Sequence, residues 1–231
     1  MSELKISKTS FEKYHIPEDD REYILGVDEA DSKILSEEDR DALFDKVQQN
    51  EWIGYAYYSI SPSDISNFML QKNKYNLNEI AHDTTIHLIN KVFGKLKIKK
   101  IIVDTVGPAE KYQEKLKKIF DTDILVTKKA DSLYPIVSCA SIVAKVTRDA
   151  TLKTMFENHS NFGSGYPSDP NTKQWLAENV DPVFGYPNTV RFSWSTCETI
   201  LESKGVSVVW EKEIEPTKKR GVFYDSIGLK Y

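Results

Sequence analysis

Between Tyr23 and Phe156 the chain alternates short apolar runs with longer amphipathic ones, and three of the short runs close on or just before a carboxylate. Tyr23-Ile24-Leu25-Gly26-Val27 leads into Asp28-Glu29, Ile98 to Val103 ends at Asp104, and Asp123 to Thr127 is followed by Lys128-Lys129-Ala130-Asp131. Such runs read as buried strands. Trp52 to Ile60, aromatic-rich and closed by Ser61-Pro62-Ser63, reads as another. Helical signals lie between them. Ser36 and Asp39 have the spacing of a capping box opening a helix from about Glu37 to Val47. Asn78 is a candidate cap for a longer helix with Ile80, Ala81, Leu88, Ile89 and Val92 at helical spacing and Gly94 as its stop. Gly107-Pro108 turns the chain into amphipathic Ala109 to Phe120, and a further helix runs from about Leu133 to Phe156. Strand and helix in alternation predict an α/β layer fold. Beyond it the chain is helical and turn-rich, with Gly163-Ser164-Gly165-Tyr166-Pro167 as a loop.

At 231 residues, against roughly 150 per domain, this is one domain of generous size or one with a tail. The expected division is a charged lead-in at 1–22, a core at 23–160, a helical C-terminal part of the same domain at 161–210 and a tail at 211–231. Hydrophobic residues at 40% and charged residues at 29% exclude disorder along the whole chain. With no apolar run of about 18 residues and no basic-then-apolar N-terminus, the expectation is a soluble, intracellular protein with no membrane partner. Cys139 and Cys197 fit neither a disulfide framework nor a metal pattern. The net charge, 31 − 35 = −4, excludes nucleic-acid binding by bulk attraction. A polyanion must be held by a local basic stripe, with surplus carboxylates neutralised by something else, and a divalent metal serves both needs.

Strand ends in an α/β sheet share one edge, where ligands and catalytic groups gather. Asp28, Glu29, Asp104 and Asp131 are therefore candidates for one site, although Asp after a strand is also ordinary loop composition. Carboxylates gathered so closely repel unless a cation lies among them. Oxygen-only ligands suit Mg²⁺ or Mn²⁺, and no His or Cys set suits zinc. The helix after Asp131 is apolar almost all round through Ile136, Val137, Cys139, Ala140, Ile142, Val143, Ala144 and Val146. Ser138, Ser141, Lys145 and Arg148 interrupt it along a single face. Two hydroxyls and two cations on a buried helix fit phosphate oxygens; the same face can instead meet solvent or pair with acidic neighbours. Tyr166 sits where it can stack on a sugar or base, or simply pack on the surface. In the aperiodic end, Val222, Phe223, Tyr224, Ile227 and Leu229 make either an apolar contact arm or an isolated tail, and Lys218-Lys219-Arg220 is too short a basic run to set a location.

Several stretches, in order from about Tyr23 to Trp210, carry a resemblance. Gly26-Val27-Asp28-Glu29-Ala30, Val103-Asp104-Thr105-Val106-Gly107-Pro108 and Lys129-Ala130-Asp131-Ser132-Leu133-Tyr134 are three of them. The run from Ser138 to Asp149, Gly163-Ser164-Gly165-Tyr166-Pro167-Ser168-Asp169-Pro170 and Val190-Arg191-Phe192-Ser193-Trp194 are the others. Together they resemble type 2 ribonuclease H, in the catalytic subunit of its eukaryotic heterotrimeric form. The resemblance implies a ribonuclease-H-like mixed sheet flanked by helices, with a helical C-terminal part. It implies a metal-dependent endonuclease that cuts the RNA strand of RNA/DNA hybrids and single ribonucleotides in duplex DNA. Two Mg²⁺ or Mn²⁺ ions would be held by Asp28, Glu29, Asp104 and Asp131, which match the family's carboxylates. Tyr166 matches the tyrosine that packs on the sugar at the RNA-to-DNA junction, and Lys33 joins Ser138, Ser141, Lys145 and Arg148 as a substrate contact. Two accessory subunits and a nuclear role in DNA replication and repair are also implied.

The family pattern has one interruption. Where it continues from Asp-Glu-Ala into Gly-Arg-Gly and another strand before an Asp-Ser-Lys triplet, Ala30 here runs directly into Asp31-Ser32-Lys33. One central strand, lying between the first and third strands of the family's sheet, is thus expected to be missing after Ala30, together with the Gly-Arg-Gly reader of the ribose 2′ hydroxyl. Unless its neighbours close up, ladder amides and carbonyls lose partners. Two functional classes follow: an active nuclease, or a catalytically impaired scaffold or nucleic-acid-binding subunit.

Overall fold

The computed structural model describes residues 21–29, 35–72, 75–105, 107–157 and 161–208, together with the backbone of 11–15. In chain order the elements are β1 (Phe11–His15), β2 (Glu22–Val27), α1 (Glu37–Gln49), β3 (Tyr55–Ser59), α2 (Pro62–Leu70), α3 (Leu77–Phe93) and β4 (Lys97–Asp104). They continue with α4 (Ala109–Lys117), β5 (Asp123–Thr127), α5 (Ala130–Leu133), α6 (Pro135–Met155), α7 (Pro170–Glu178) and α8 (Ser195–Lys204). Lys33, the Ala30–Asp31 junction, and the tail at 211–231 lie outside the described residues. Among the described residues no helix is long and apolar enough to cross a membrane.

The chain divides into two compact units. The larger comprises Glu12–Ser59 and Ala81–Thr151. Its parallel sheet has the order β2-β4-β5, and the buried end of the central strand, Ile101 to Val103, presents apolar side chains to both faces. Ile101 and Val103 of β4 join Ile86 and Ile89 of α3, Tyr112 and Leu116 of α4, and Ile124 and Val126 of β5. Ile102 faces the other way, onto Ala130 and Val137. Gly26 is required where β2 meets the start of α6, because a Cβ there would lie 2.6 Å from the Ile136 carbonyl carbon. α1 opens as expected, with Ser36 Oγ accepting the Asp39 amide at 3.1 Å, while Asp39 reaches back to the Ser36 hydroxyl rather than its amide.

β2 pairs with β4, β3 pairs with β1, and no ladder among the described residues joins β2 to β3. Ile24, on the same face of β2 as Gly26, is left 52% exposed. Every residue of β3 is half-buried, with Tyr55 edge-on to Phe44 of α1 and Tyr58 edge-on to His87 of α3.

The second unit contains, among the described residues, Ile60–Ile80 and the chain from Leu152 to Val208. One apolar cluster unites Phe156, Trp175, Leu176, Val190 and Cys197, and another packs Ile60, Ile65, Phe68, Met69 and Tyr75 around Ile80.

Three local expectations need correction. Ser61-Pro62-Ser63 does close the strand, but it also opens α2: Ser61 Oγ accepts the Asp64 amide at 3.0 Å and Pro62 fills the first turn, where its missing N–H costs nothing. The cap of α3 is Asn76 rather than Asn78, since Asn76 and Glu79 exchange side-chain bonds to each other's amides at 2.9 and 3.3 Å. The helix expected from about Leu133 starts earlier, at Ala130, and breaks at Tyr134, because Pro135 disfavours helical backbone in the residue before it.

Candidate active site

Parallel register sets the site. Val27 lies opposite Val103, so the next residues, Asp28 and Asp104, emerge side by side at the carboxyl edge of the sheet. Asp104 lies opposite Thr127 of β5, and its Oδ1 accepts the Ala130 amide at 2.6 Å. That amide is aimed by Lys129, whose φ of 57° places a non-glycine residue in the left-handed region, a strain typical of functional turns. The bond ties the β4 edge to the first turn of α5, which carries Asp131.

The polar face of α6 arrives at the same edge through the close contact at Gly26. Ser141 interacts with Asp28, and Lys145 donates to the Ser141 hydroxyl while its charge reaches Asp28. Both are buried, Ser141 at 5% and Lys145 at 8% exposure. Ser138 is fixed differently, donating to the Asp131 carbonyl. Arg148 pairs with Asp149 at 2.9 Å, and Asp149 also pairs at 2.8 Å with Arg40 of α1. Along the stripe Ser141 and Lys145 are buried while Ser138 and Arg148 are half-buried, with Arg148 meeting an acidic neighbour.

Burial raises the Asp28 carboxyl to about 6; the Ser141 hydroxyl and Glu29 amide oppose the rise, the Asp104 charge adds to it, and Lys145 opposes it. Glu29 is exposed, and its amide donates to Asp28 Oδ1 at 2.7 Å. Its charge is felt by Tyr112, whose hydroxyl is pushed up mainly by burial and is also raised by Asp83. Asp131 accepts the Ser132 amide at 2.8 Å.

These placements test the fit of a divalent ion. Asp28 and Asp104 are adjacent, hard oxygen donors held in partial desolvation, a combination that a cation relieves. Among the described residues no three His, Cys, Asp or Glu side chains converge in a group able to hold a metal. The register thus brings two of the four predicted carboxylates together; Glu29 follows Asp28 in the chain, and Asp131 follows Ala130, whose amide Asp104 accepts.

Tyr166 belongs to the other unit, half-buried in a loop where Gly163 and Gly165 take φ of 76° and 71°. Lys33 lies outside the described residues. Sequence reasoning missed Arg40, a buried guanidinium that also donates to the Leu35 carbonyl at 2.6 Å. Its acidic helical surroundings carry no signal of burial.

Comparison with known proteins agrees with this architecture. The Ribonuclease HII family profile matches residues 14–197. The A subunit of ribonuclease H2 from Rattus norvegicus is 47% identical over 191 residues, covering 79% of this chain and 64% of that protein. Its Homo sapiens counterpart is 46% identical over 190 residues, with the same coverage. This chain thus spans less than two thirds of the length of these relatives. Among solved structures, the ribonuclease H2 of Pyrococcus horikoshii superposes with a TM-score of 0.61 at 32% identity, covering 75% of this chain and 80% of that one. The RNase HII in the Archaeoglobus fulgidus PCNA:RNase HII complex gives 0.55 at 31% identity, covering 64% and 69%. With most of its length matched by the profile and its fold superposing on a solved ribonuclease H2 at a TM-score of 0.61, this chain belongs to the ribonuclease HII family.

Proposed function

We propose that this chain is an endonuclease that hydrolyses the RNA strand of RNA/DNA hybrids and cuts at single ribonucleotides in duplex DNA. The observation that carries the reading is the Asp28–Asp104 pair at one strand edge, with Ser141 and Lys145 beside it. Two Mg²⁺ or Mn²⁺ ions would supply an activated water and a charge partner for the leaving 3′ oxygen. Asp28, Glu29, Asp104 and Asp131 are the residues to hold them. No covalent nucleophile is needed. Lys145 and Arg148, with Ser138, Ser141 and Lys33, serve the phosphate backbone, and Tyr166 packs on the sugar at the RNA-to-DNA junction. Two accessory subunits complete the assembly, in keeping with relatives whose names mark them as one component of a complex, and the work belongs to nuclear DNA replication and repair.

One observation favours a second reading for the chain as written, a nucleic-acid-binding subunit of impaired activity: β2 and β3 are not joined among the described residues. Mg²⁺-dependent cleavage of a duplex carrying one ribonucleotide, beside an all-DNA control, tests the first reading against the second.

Two further outcomes follow. Lys145→Ala and Arg148→Ala are each expected to weaken hybrid binding and to flatten the slope of log K against log salt by up to ~1, as for a lost phosphate contact. Unchanged slopes in a titration from low to moderate salt would assign both cations to internal pairing with Asp28 and Asp149. Tyr166→Ala is expected to lower cleavage at a single embedded ribonucleotide by about tenfold or more, stacking being worth ~1–3 kcal/mol. The loss on a long RNA stretch is expected to be smaller, because more than one ribose is available there. Equal losses on the two substrates, measured in an active background, would reduce Tyr166 to general positioning.

A further inference from the structure

The loop that carries Tyr166 is held by two side chains from the start of α7. Thr172, 5% exposed, uses one hydroxyl twice. It donates to the Phe162 carbonyl at 3.0 Å and accepts the Gly165 amide at 3.0 Å. Asp169 accepts the Ser164 amide at 2.6 Å through Oδ2 and the Asn171 amide at 2.9 Å through Oδ1. The Asp169 amide in turn donates to the Tyr166 carbonyl at 3.0 Å. Backbone groups at 162, 164, 165 and 166 are thus all engaged by Thr172 or Asp169.

This bracing goes beyond a helix cap. A cap needs only the Asp169–Asn171 bond, whereas Thr172 lies inside the helix and bonds backward to the loop. The loop depends on it, because Gly163 and Gly165 both sit in the left-handed region. There is also no slack: a Cβ at Gly163 would lie 2.7 Å from Asp169 Oδ2 and 2.7 Å from Thr172 Oγ1. The Ser164 amide and hydroxyl hold the Asp169 carboxyl below its usual range, burial opposes them slightly, and the Asn171 and Thr172 amides add to the lowering.

We propose that Thr172 and Asp169 are positioning residues that fix the Tyr166 ring for the ribose it meets, an inference that rests on the substrate role given to Tyr166 above. With the hydroxyl gone, Gly165 and Phe162 lose their shared anchor and the ring is no longer presented in one orientation. Contact with the substrate then weakens, although Thr172 itself touches none of it.

The test is equilibrium binding of the full chain to a duplex carrying one ribonucleotide, in Ca²⁺, with thermal melting as the folding control. Tyr166→Ala sets the reference, at about tenfold weaker binding. Thr172→Val is expected to lose about as much, Thr172→Ser to bind as the unmodified chain does, and the double variant Tyr166→Ala/Thr172→Val to bind no more weakly than Tyr166→Ala alone. Asp169→Asn, which replaces an acceptor oxygen by a donor facing the Ser164 amide, is expected to weaken binding in the same way and carries the test if Thr172→Val does not fold. Unchanged binding by folded Thr172→Val, beside a loss in Tyr166→Ala, would overturn the positioning role while leaving Tyr166 a substrate contact. Fully additive losses in the double variant would overturn it too. No loss in Tyr166→Ala itself would remove the substrate role of Tyr166, and this inference with it.

Discussion

Inserting a family-type segment, Gly-Arg-Gly and its strand, between Ala30 and Asp31 is expected to raise cleavage of a duplex with one embedded ribonucleotide by about 100-fold or more and to raise the melting midpoint. The magnitude follows from the sensitivity of catalysis to small displacements of reacting groups, where about 1 Å costs about 100-fold. Asp28 and Glu29 stand at the end of β2, whose one ladder among the described residues is to β4. A strand on its other side would fix their direction from both flanks and join β2 to the β1–β3 ribbon, which a two-stranded ladder stabilises only marginally. The same insertion supplies a reader for the 2′ hydroxyl, the group that separates RNA from DNA at the cut position. Paired melting curves and single-turnover rates on the two forms decide the matter. Equal midpoints and equal rates would make the segment dispensable.

In the chain with the segment restored, Asp104→Asn is expected to abolish metal-dependent cleavage, a loss of about 100-fold or more, since a metal-ligand charge is worth several kcal/mol in the transition state. The fold should survive. An asparagine Oδ1 can still accept the Ala130 amide, which Asp104 Oδ1 accepts at 2.6 Å, so the tie between the β4 edge and α5 is kept. Duplex binding should likewise change little. In ion-free protein the variant is expected to melt at a slightly higher temperature, because the Asp104 charge, which adds to burial in holding the Asp28 carboxyl up, is gone. That gain belongs to neutral and alkaline pH, where Asp28 is ionised. As pH falls through about 6, Asp28 takes up its proton in either protein and the gain disappears. Cleavage at the unsubstituted rate would take Asp104 out of the mechanism.

The parts legible in sequence were those with a strong local signal. β5 spans the expected Asp123 to Thr127, and β2 and β4 end where charge replaces the apolar run. Their carboxyl-edge aspartates were legible for the same reason, and parallel register then set Asp28 beside Asp104. What escaped depended on partners distant in sequence or on signals with two meanings. Ser61-Pro62-Ser63 has the composition of a turn and equally that of a helix start, and it serves as both, following the end of β3 and opening α2. Pro135 split a helix whose apolar pattern runs on unbroken. Arg40 reads as a solvated helix residue but is buried against Asp149, more than a hundred positions away. The serines and lysine of α6 showed a polar stripe, yet its meeting with Asp28 follows from the close approach at Gly26. Thr172 carried no signal, because its bonds to Gly165 and Phe162 exist only once the loop folds back on α7.

The most direct test of the central claim, that the edge bearing Asp28 and Asp104 belongs to an RNA-strand hydrolase, is Mg²⁺-dependent cleavage of a duplex carrying one ribonucleotide. The restored chain, its Asp104→Asn variant and an all-DNA duplex are run side by side. The expected result is a single cut at the ribonucleotide by the restored chain, lost in Asp104→Asn and on removal of the metal, with the all-DNA duplex intact. Cleavage of the all-DNA duplex at a similar rate, or cleavage that persists in Asp104→Asn, would contradict it.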